Sequence, residues 1–460
     1  MKYVVMKFGG TSVEDATAMN RTAAIVAGRR TRDQQPIVVV SAMAKVTDQL
    51  LLAAATAARG EREPALAISE RLLVRHQAVA AELGLESSWL ATEFAALDEV
   101  LRGLSAVGEL TPRINDMIVS YGERLSSRMI AGVFALRGLD GVHVDARKCI
   151  ITDAQHMRAV PDDERIEEQL RKYVLPHADA RRTVVMGGFI GSTETGVTTT
   201  LGRGGSDFTA ALVGGGVVAE AIEIWTDVNG IMTTDPRVVP GALRVRNISF
   251  EEAAELAYFG AKVLHPATIL PAVKKNIPVL VLNSRNPTNE GTRIQALAPP
   301  CRNPVKSIAA KKRLTIVDVV ASRMLMTHGY MKAIFDIFDK HKCVVDMVST
   351  SEVSVSLTVD SNEALPAITA DLSKLADVKY EGRKALVCLV GEDIRGHSGT
   401  AARLFNAIRH INVRMISQGA SEINMSFMID EDDVEEAIRS LHAEFFADPD
   451  PAIFDVEIKE

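Results

Sequence analysis

Two glycine-bearing segments set a cation where a phosphate would sit. The first is Lys7-Phe8-Gly9-Gly10-Thr11-Ser12, between an apolar run and a helical stretch. Glycines remove side chains, so backbone N–H groups can approach an anion, and the following helix N-terminus adds a favourable dipole. Lys7 supplies a full positive charge beside them. The spacing is not that of a Walker A loop, which places more residues between its glycines. Taken alone, the same residues serve equally well as a tight strand-to-helix turn. The second segment is TTTLGRGGSD, Thr198–Asp207, ahead of a helix over Phe208–Gly214. Its glycines, its arginine and its hydroxyls suit an anion. Asp207 would either orient a lysine or help hold a metal ion. A second cradle of this kind in one domain favours anion binding over a chance turn. A third segment, WTDVNGIMTTDPR at Trp225–Arg237, follows an apolar strand, and loops beyond the carboxyl ends of strands hold the ligands of open α/β sheets. Further on, FGAKVLHP at Phe259–Pro266 offers another lysine, Lys262. A cation at a helix end also suits the macrodipole without any ligand, and His265, before a proline, reads as a capping or packing residue.

These segments need elements to position them. The first ~295 residues alternate β-branched runs with helical stretches, the α/β pattern. Tyr3–Phe8, Ile37–Ser41, Thr183–Met186, Ala221–Thr226 and Pro278–Asn283 read as strands. Thr111–Arg137 reads as one long amphipathic helix with Pro112 in its first turn, and residues 60–105 read as further helices. Turn residues cluster over Asn286–Gly291, Pro299-Pro300 and Asn303-Pro304, which places a domain boundary there. Beyond it, a shift of about 70 residues lays the chain on itself without a gap. Gly329 falls on Gly399, Phe335 on Phe405, Ser351-Glu352 on Ser421-Glu422, Ser356 on Ser426 and Asp360 on Asp430. Ile316, Val317 and Val319 fall on Leu386, Val387 and Leu389. Each copy reads strand, helix, strand, strand, helix. Paired units of this kind often bind small ligands where they meet.

Composition narrows the class. A chain of 460 residues exceeds one ordinary core. A net charge of −7 argues against a nucleic-acid-binding face. No apolar run is long enough to span a bilayer, and the first apolar run is too short for a signal-peptide core, so no membrane partner and a cytoplasmic location are expected. Cys149, Cys301, Cys343 and Cys388 are scattered, with no CxxC pair. They read as buried thiols, not as a zinc site.

On KFGGTSV (Lys7–Val13), SYGERLSS (Ser120–Ser127), GFIGS (Gly188–Ser192) and the segments at 198–207, 225–237 and 259–266, in that order, the chain resembles the aspartate kinases over essentially its whole length. The resemblance implies the amino-acid kinase fold, an open, mostly parallel sheet sandwiched by helices, followed by two α+β ACT domains. The expected bounds are 1–295 for the kinase domain, 296–312 for a linker and a strand joining the second ACT unit, 313–383 for the first ACT domain and 384–460 for the second. The implied activity is transfer of the γ-phosphoryl group of ATP, with Mg²⁺ carried on the nucleotide and no metal ligands from the protein, to the side-chain carboxylate of L-aspartate. This is the first step toward lysine, threonine and methionine.

By similarity, Lys7 neutralises the transferring phosphoryl and Asp207 holds Lys7. Arg203 clamps the aspartate carboxylates, Glu123 receives the ammonium, and Ser41, Thr47 and Ser206 add hydroxyl contacts. Gly9, Gly10, Thr226, Asp227, Met232, Arg237 and Lys262 belong with the nucleotide. Asn229 and Met232 stand where many members carry proline and tyrosine. VDMVSTSEVSV (Val345–Val355) resembles the lysine-responsive branch, which implies L-lysine as effector. Met324, Gly329, Tyr330, Val344, Val345, Asp346, Thr350, Ser351 and Glu352 would surround it, with Asp346 on its ε-ammonium. The same resemblance implies a homodimer, or a dimer of dimers, through the ACT domains. The alternatives weighed are a glutamate 5-kinase-like enzyme and a threonine-regulated aspartate kinase.

Overall fold

Apolar runs longer than an alternating strand needs are buried on both faces, and such strands pair in parallel. In the computed structural model, which describes residues 2–31, 34–259, 266–320, 328–360, 363–419 and 421–456, the strands over Ile37–Val40 and Val184–Met186 are fully buried. The chain divides into two compact units. The first comprises Met1–Ile231, Asn247–Phe250 and Val263–Ala298; the second comprises Met232–Arg246, Glu251–Lys262 and Pro299–Glu460.

The first unit holds β1 (Lys2–Phe8), β2 (Gln34–Val40), β3 (Gly141–His143), β4 (Thr183–Gly187), β5 (Ile190–Ser192), β6 (Thr198–Thr200), β7 (Ala221–Thr226), β8 (Asn247–Ser249), β9 (Val279–Asn283) and β10 (Thr292–Gln295). Eight of them form one sheet in the order β3-β4-β2-β1-β7-β9-β10-β8, while β5 and β6 make a separate hairpin. Among the described residues, the β9–β10 pairing is the one antiparallel pairing in the large sheet. Helices Arg62–Leu83 and Ser88–Val107 occupy the stretch read as helical. The helix expected over Thr111–Arg137 is two helices, Pro112–Val119 and Tyr121–Leu136. The division falls at Ser120, which keeps helical φ −61° and ψ −21° and donates its backbone N–H to the Asp116 carbonyl at 3.1 Å, so the two segments follow on nearly continuously.

The second unit carries a six-stranded antiparallel sheet built from β11 (Ser307–Val320), β12 (Val345–Thr350), β13 (Ser354–Asp360), β14 (Asp377–Val390), β15 (Met415–Gln418) and β16 (Asn424–Asp430), in the order β12-β13-β11-β14-β16-β15. The internal repeat is visible in it. Each copy starts its first helix, Tyr330–Lys340 or Thr400–Ala407, after a glycine of positive φ, 81° at Gly329 and 87° at Gly399. The first part of β11, Ser307–Lys311, pairs with Leu386–Val390 of the second copy. Cys149 and Cys388 are buried, as read from the sequence, but Cys301 and Cys343 are only partly so, and no disulfide joins them among the described residues. No helix among the described residues is long and apolar enough to cross a membrane.

Candidate active site

Parallel strands end on one side of their sheet, and the loops leaving adjacent strands share that edge. Here β4, β2, β1 and β7 lie side by side. Hydrogen bonds stitch their exits together: Gly9 N donates to Trp225 O at 3.0 Å, Ser41 N to Phe8 O at 3.0 Å and Gly188 N to Val40 O at 2.8 Å. Lys7 is the penultimate residue of β1 and Thr226 the last of β7. The first turn of the helix Gly205–Gly216 closes on this edge. Its approach needs Gly188, since a Cβ there would stand 2.7 Å from Cβ of Ser206.

The exits enclose a cavity of about 390 Å³, lined among others by Lys7, Gly10, Ser41, Thr47, Glu123, Ser206 and Asp207. Lys7 Nζ lies 2.7 Å from Asp207 Oδ1, with both side chains largely buried. Of the two roles read for Asp207, this geometry is that of orienting the lysine. Glu123 sits in the first turn of the helix Tyr121–Leu136 and is 4% exposed. One of its oxygens accepts from the Ala42 N–H at 3.2 Å, and the other has no hydrogen-bond partner among the described residues. Burial pushes its carboxyl up to about 8, against the smaller opposing pull of the Ala42 hydrogen bond and the Lys7 charge. The Ser126 hydroxyl ties the same helix to the Ser41 carbonyl at 2.8 Å. A cation is thus held by a carboxylate, and a buried carboxyl stands with one oxygen unpaired, in one cavity.

Other expected site residues lie elsewhere. Arg203 is exposed on the turn between Gly202 and Gly204, both of which line the cavity. Thr226 Oγ1 donates to Asp227 Oδ1 at 3.3 Å, and Asp227 is exposed. Gly9 is fixed by its bond to Trp225. Met232 and Arg237 belong to the second unit. There Met232 O accepts from the Ser307 hydroxyl at 2.8 Å, and Arg237 pairs with Asp235 at 2.6 Å. Lys262 and Met324 lie outside the described residues.

In the second unit, Gly329 and Tyr330 open the helix Tyr330–Lys340, Val344 precedes β12 and Val345 and Asp346 start it, and Thr350 ends it, exposed, with Ser351 and Glu352 exposed just beyond. Asp346 faces this chain's own groups. Its carboxylate, 3% exposed, lies 2.8 Å from Lys311 Nζ and accepts from the Tyr258 hydroxyl at 2.7 Å. Burial, then that hydrogen bond, raises the Tyr258 phenol well above its ordinary range.

Two features escaped the sequence reading. Lys45 and Asp48 also line the cavity; their place between Ser41 and Thr47, both singled out, was the available signal. Asp116 is fully buried and accepts from His156 Nδ1 at 2.8 Å and from Thr200 Oγ1 at 2.6 Å. It pins the helix Pro112–Val119 to the β6 region, and nothing in its local sequence marks it.

Comparison with known proteins agrees with this architecture. The amino acid kinase family model matches residues 2–283, and the ACT domain model matches 317–370 and 387–445. Lysine-sensitive aspartokinase 3 of Escherichia coli (strain K12) is 38% identical over 465 residues, covering 96% of this chain and 99% of that protein. The crystal structure of E. coli aspartokinase III in complex with aspartate and ADP (R-state) superposes with a TM-score of 0.82 at 37% identity, covering 97% of this chain and 100% of that one. Its complex with lysine and aspartate (T-state) gives 0.80 at 36% identity over the same shares. A kinase sheet with its Lys7–Asp207 pair, a tandem ACT sheet and relatives matched over their full length make this chain a member of the aspartokinase family, an aspartate kinase.

Proposed function

We propose that this chain phosphorylates L-aspartate in the cavity at the carboxyl ends of β1, β2 and β4, with ATP as the magnesium complex, and that L-lysine inhibits it through the first ACT domain. One observation carries the first part: Lys7, held by Asp207 at 2.7 Å, shares the cavity with a Glu123 oxygen that has no hydrogen-bond partner among the described residues. The nucleophile, a carboxylate, is already ionised at neutral pH and needs no strong general base. What the protein must supply is position and compensation of charge. In this reading the aspartate ammonium takes the unpaired Glu123 oxygen, and Ser41, Thr47 and Ser206 orient the side-chain carboxylate. Arg203, which pairs with no carboxylate among the described residues, offers a bidentate fork to the substrate. Lys7 meets the charge that grows on the phosphoryl oxygens. Gly9, Gly10, Thr226, Asp227, Met232, Arg237 and Lys262 serve the nucleotide. Mg²⁺ enters on the phosphates, as that ion commonly does.

The effector reading draws on the lysine complex of the E. coli relative and on Asp346. Its carboxylate already holds one ammonium, that of Lys311. The distal ammonium of free lysine would take the place of Lys311, keeping the buried anion paired, whereas threonine has no charge to offer. Gly329 and Tyr330 would meet the α-amino and carboxylate ends, with Met324, Val344, Val345, Thr350, Ser351 and Glu352 around them. A cytoplasmic homodimer completes the proposal. The test is a steady-state kinase assay with aspartate and with glutamate, repeated with lysine, threonine and methionine added singly. Phosphorylation of aspartate, suppressed by millimolar or lower lysine, is expected. Turnover of glutamate but not aspartate would overturn the substrate, and inhibition by threonine with indifference to lysine would overturn the effector.

A further inference from the structure

Lys45 is the cation of the cavity lining that no carboxylate among the described residues neutralises. It precedes the helix Val46–Ala58 with φ 66° and ψ 0°, the left-handed region. A residue with a Cβ is strained there, and glycine is the ordinary occupant. Lys45 lines the same cavity as Lys7, Glu123 and Asp207. It is exposed and makes no ion pair among the described residues. Lys7, by contrast, is held by Asp207 at 2.7 Å. The ionisable groups of the lining are Lys7 and Lys45 against Asp48, Glu123 and Asp207. Once Lys7 and Asp207 are counted against each other, Lys45 is the cation of the lining itself left to face an incoming anion, with Arg203 on the exposed turn between the lining residues Gly202 and Gly204. The reaction must bring two anions together, a triphosphate and a carboxylate, and charge compensation is most of what such a site can contribute. Backbone strain kept at a site of this kind points to a side chain retained for function.

We infer that Lys45 is a substrate-binding residue whose ammonium takes an anionic oxygen of the reacting pair, either a carboxylate of the acidic amino acid or the terminal phosphate of the nucleotide. The inference rests on the reading that this cavity holds the reacting pair. It is tested on the full chain with Lys45→Gly, Lys45→Met and Lys45→Arg, alongside Lys7→Met, by measuring kcat, both KM values and Tm. Removing a charge-assisted contact in Lys45→Gly and Lys45→Met is expected to raise one KM about tenfold, with Lys45→Arg within about threefold of wild type. Because glycine relieves the left-handed strain, the Tm of Lys45→Gly is expected to equal or exceed that of wild type. A rise confined to aspartate assigns the carboxylate as the ligand; a rise confined to ATP assigns the phosphate. If Lys45→Gly and Lys45→Met both keep kcat and KM within about twofold of wild type while Lys7→Met is crippled, Lys45 has no such role. Weakened binding with a lowered Tm in Lys45→Gly would make the residue structural and equally overturn the proposal. Near-normal turnover in Lys7→Met would instead remove the cavity from the reaction, and this inference with it.

Discussion

The Lys7–Asp207 pair places one ammonium where negative charge would develop, so its loss should fall on turnover more than on binding. Lys7→Ala is expected to lower kcat on the order of 10²-fold or more, with modest changes in either KM. Near-normal kcat in steady-state assays would take Lys7 out of the chemistry. Glu123 predicts a pH dependence. Its carboxyl, pushed up to about 8 by burial, is mostly protonated at lower pH, and only the anion attracts an ammonium. In wild type, kcat/KM for aspartate should therefore rise with pH and level off above about 8, while Glu123→Gln should be low and flat. A flat wild-type profile across that range would contradict the role. The stability effect has the opposite sense. A carboxyl whose folded pKa is raised stabilises the fold below its unfolded value near 4.5, and that contribution is lost as pH rises through about 8. Thermal melts of Glu123→Gln should accordingly improve relative to wild type as pH increases.

Helix Tyr121–Leu136 carries Glu123 into the cavity because Gly122 lets it approach the loop after β2: a Cβ on Gly122 would stand 2.7 Å from Cβ of Ala42. Gly122→Ala should force the two apart, at a cost of roughly 1–3 kcal/mol in stability. It should also raise KM for aspartate more than KM for ATP; equal effects on both would place the helix outside aspartate binding. In the second unit, β11 and β12 bring Lys311 and Asp346 together. Removing Lys311 leaves a buried carboxylate with, among the described residues, the Tyr258 hydroxyl beside it and no cation, which is destabilising. Lys311→Met should thus lower the Tm of the second unit and, with the internal competitor gone, raise the apparent affinity for lysine. Added lysine should restore the melt by binding the folded form. Unchanged lysine response in this variant would separate Asp346 from the effector.

At the level of the whole molecule, inhibition requires that lysine bind one conformation more tightly than another; a tenfold loss of activity needs a preference of at least about 1.4 kcal/mol. Strand β12 is an edge of its sheet, and an edge offers unpaired backbone groups to a second copy. Val348 on this strand is 38% exposed and Val344 just before it is 70% exposed. If dimers pair through this edge, Val348→Lys should weaken self-association in light scattering by an order of magnitude or more and blunt the lysine response, leaving basal turnover intact. A wild type that is monomeric at micromolar concentration, with and without lysine, would rule out the dimer.

Much of this protein was legible in one dimension. Continuous apolar runs mark buried parallel strands because both faces of such a strand meet helices, so β1, β2, β4, β7 and β9 lie where the runs do, within a few residues at their ends. The tandem repeat was readable because each copy needs the same apolar positions and the same glycine before its helix. The family was legible because six motifs occur in one order. Other properties depend on groups far apart in the chain. The raised carboxyl of Glu123 depends on burial by a loop about 80 residues away. The partners of Asp346 come from Tyr258 and Lys311, and those of Asp116 from His156, Met157 and Thr200. Periodicity and turn chemistry act between near neighbours, so the sequence by itself determined the elements and their family. Desolvation and pairing act through space, so only the tertiary structure decided which charges are held, which are spent on each other and which are left for a ligand.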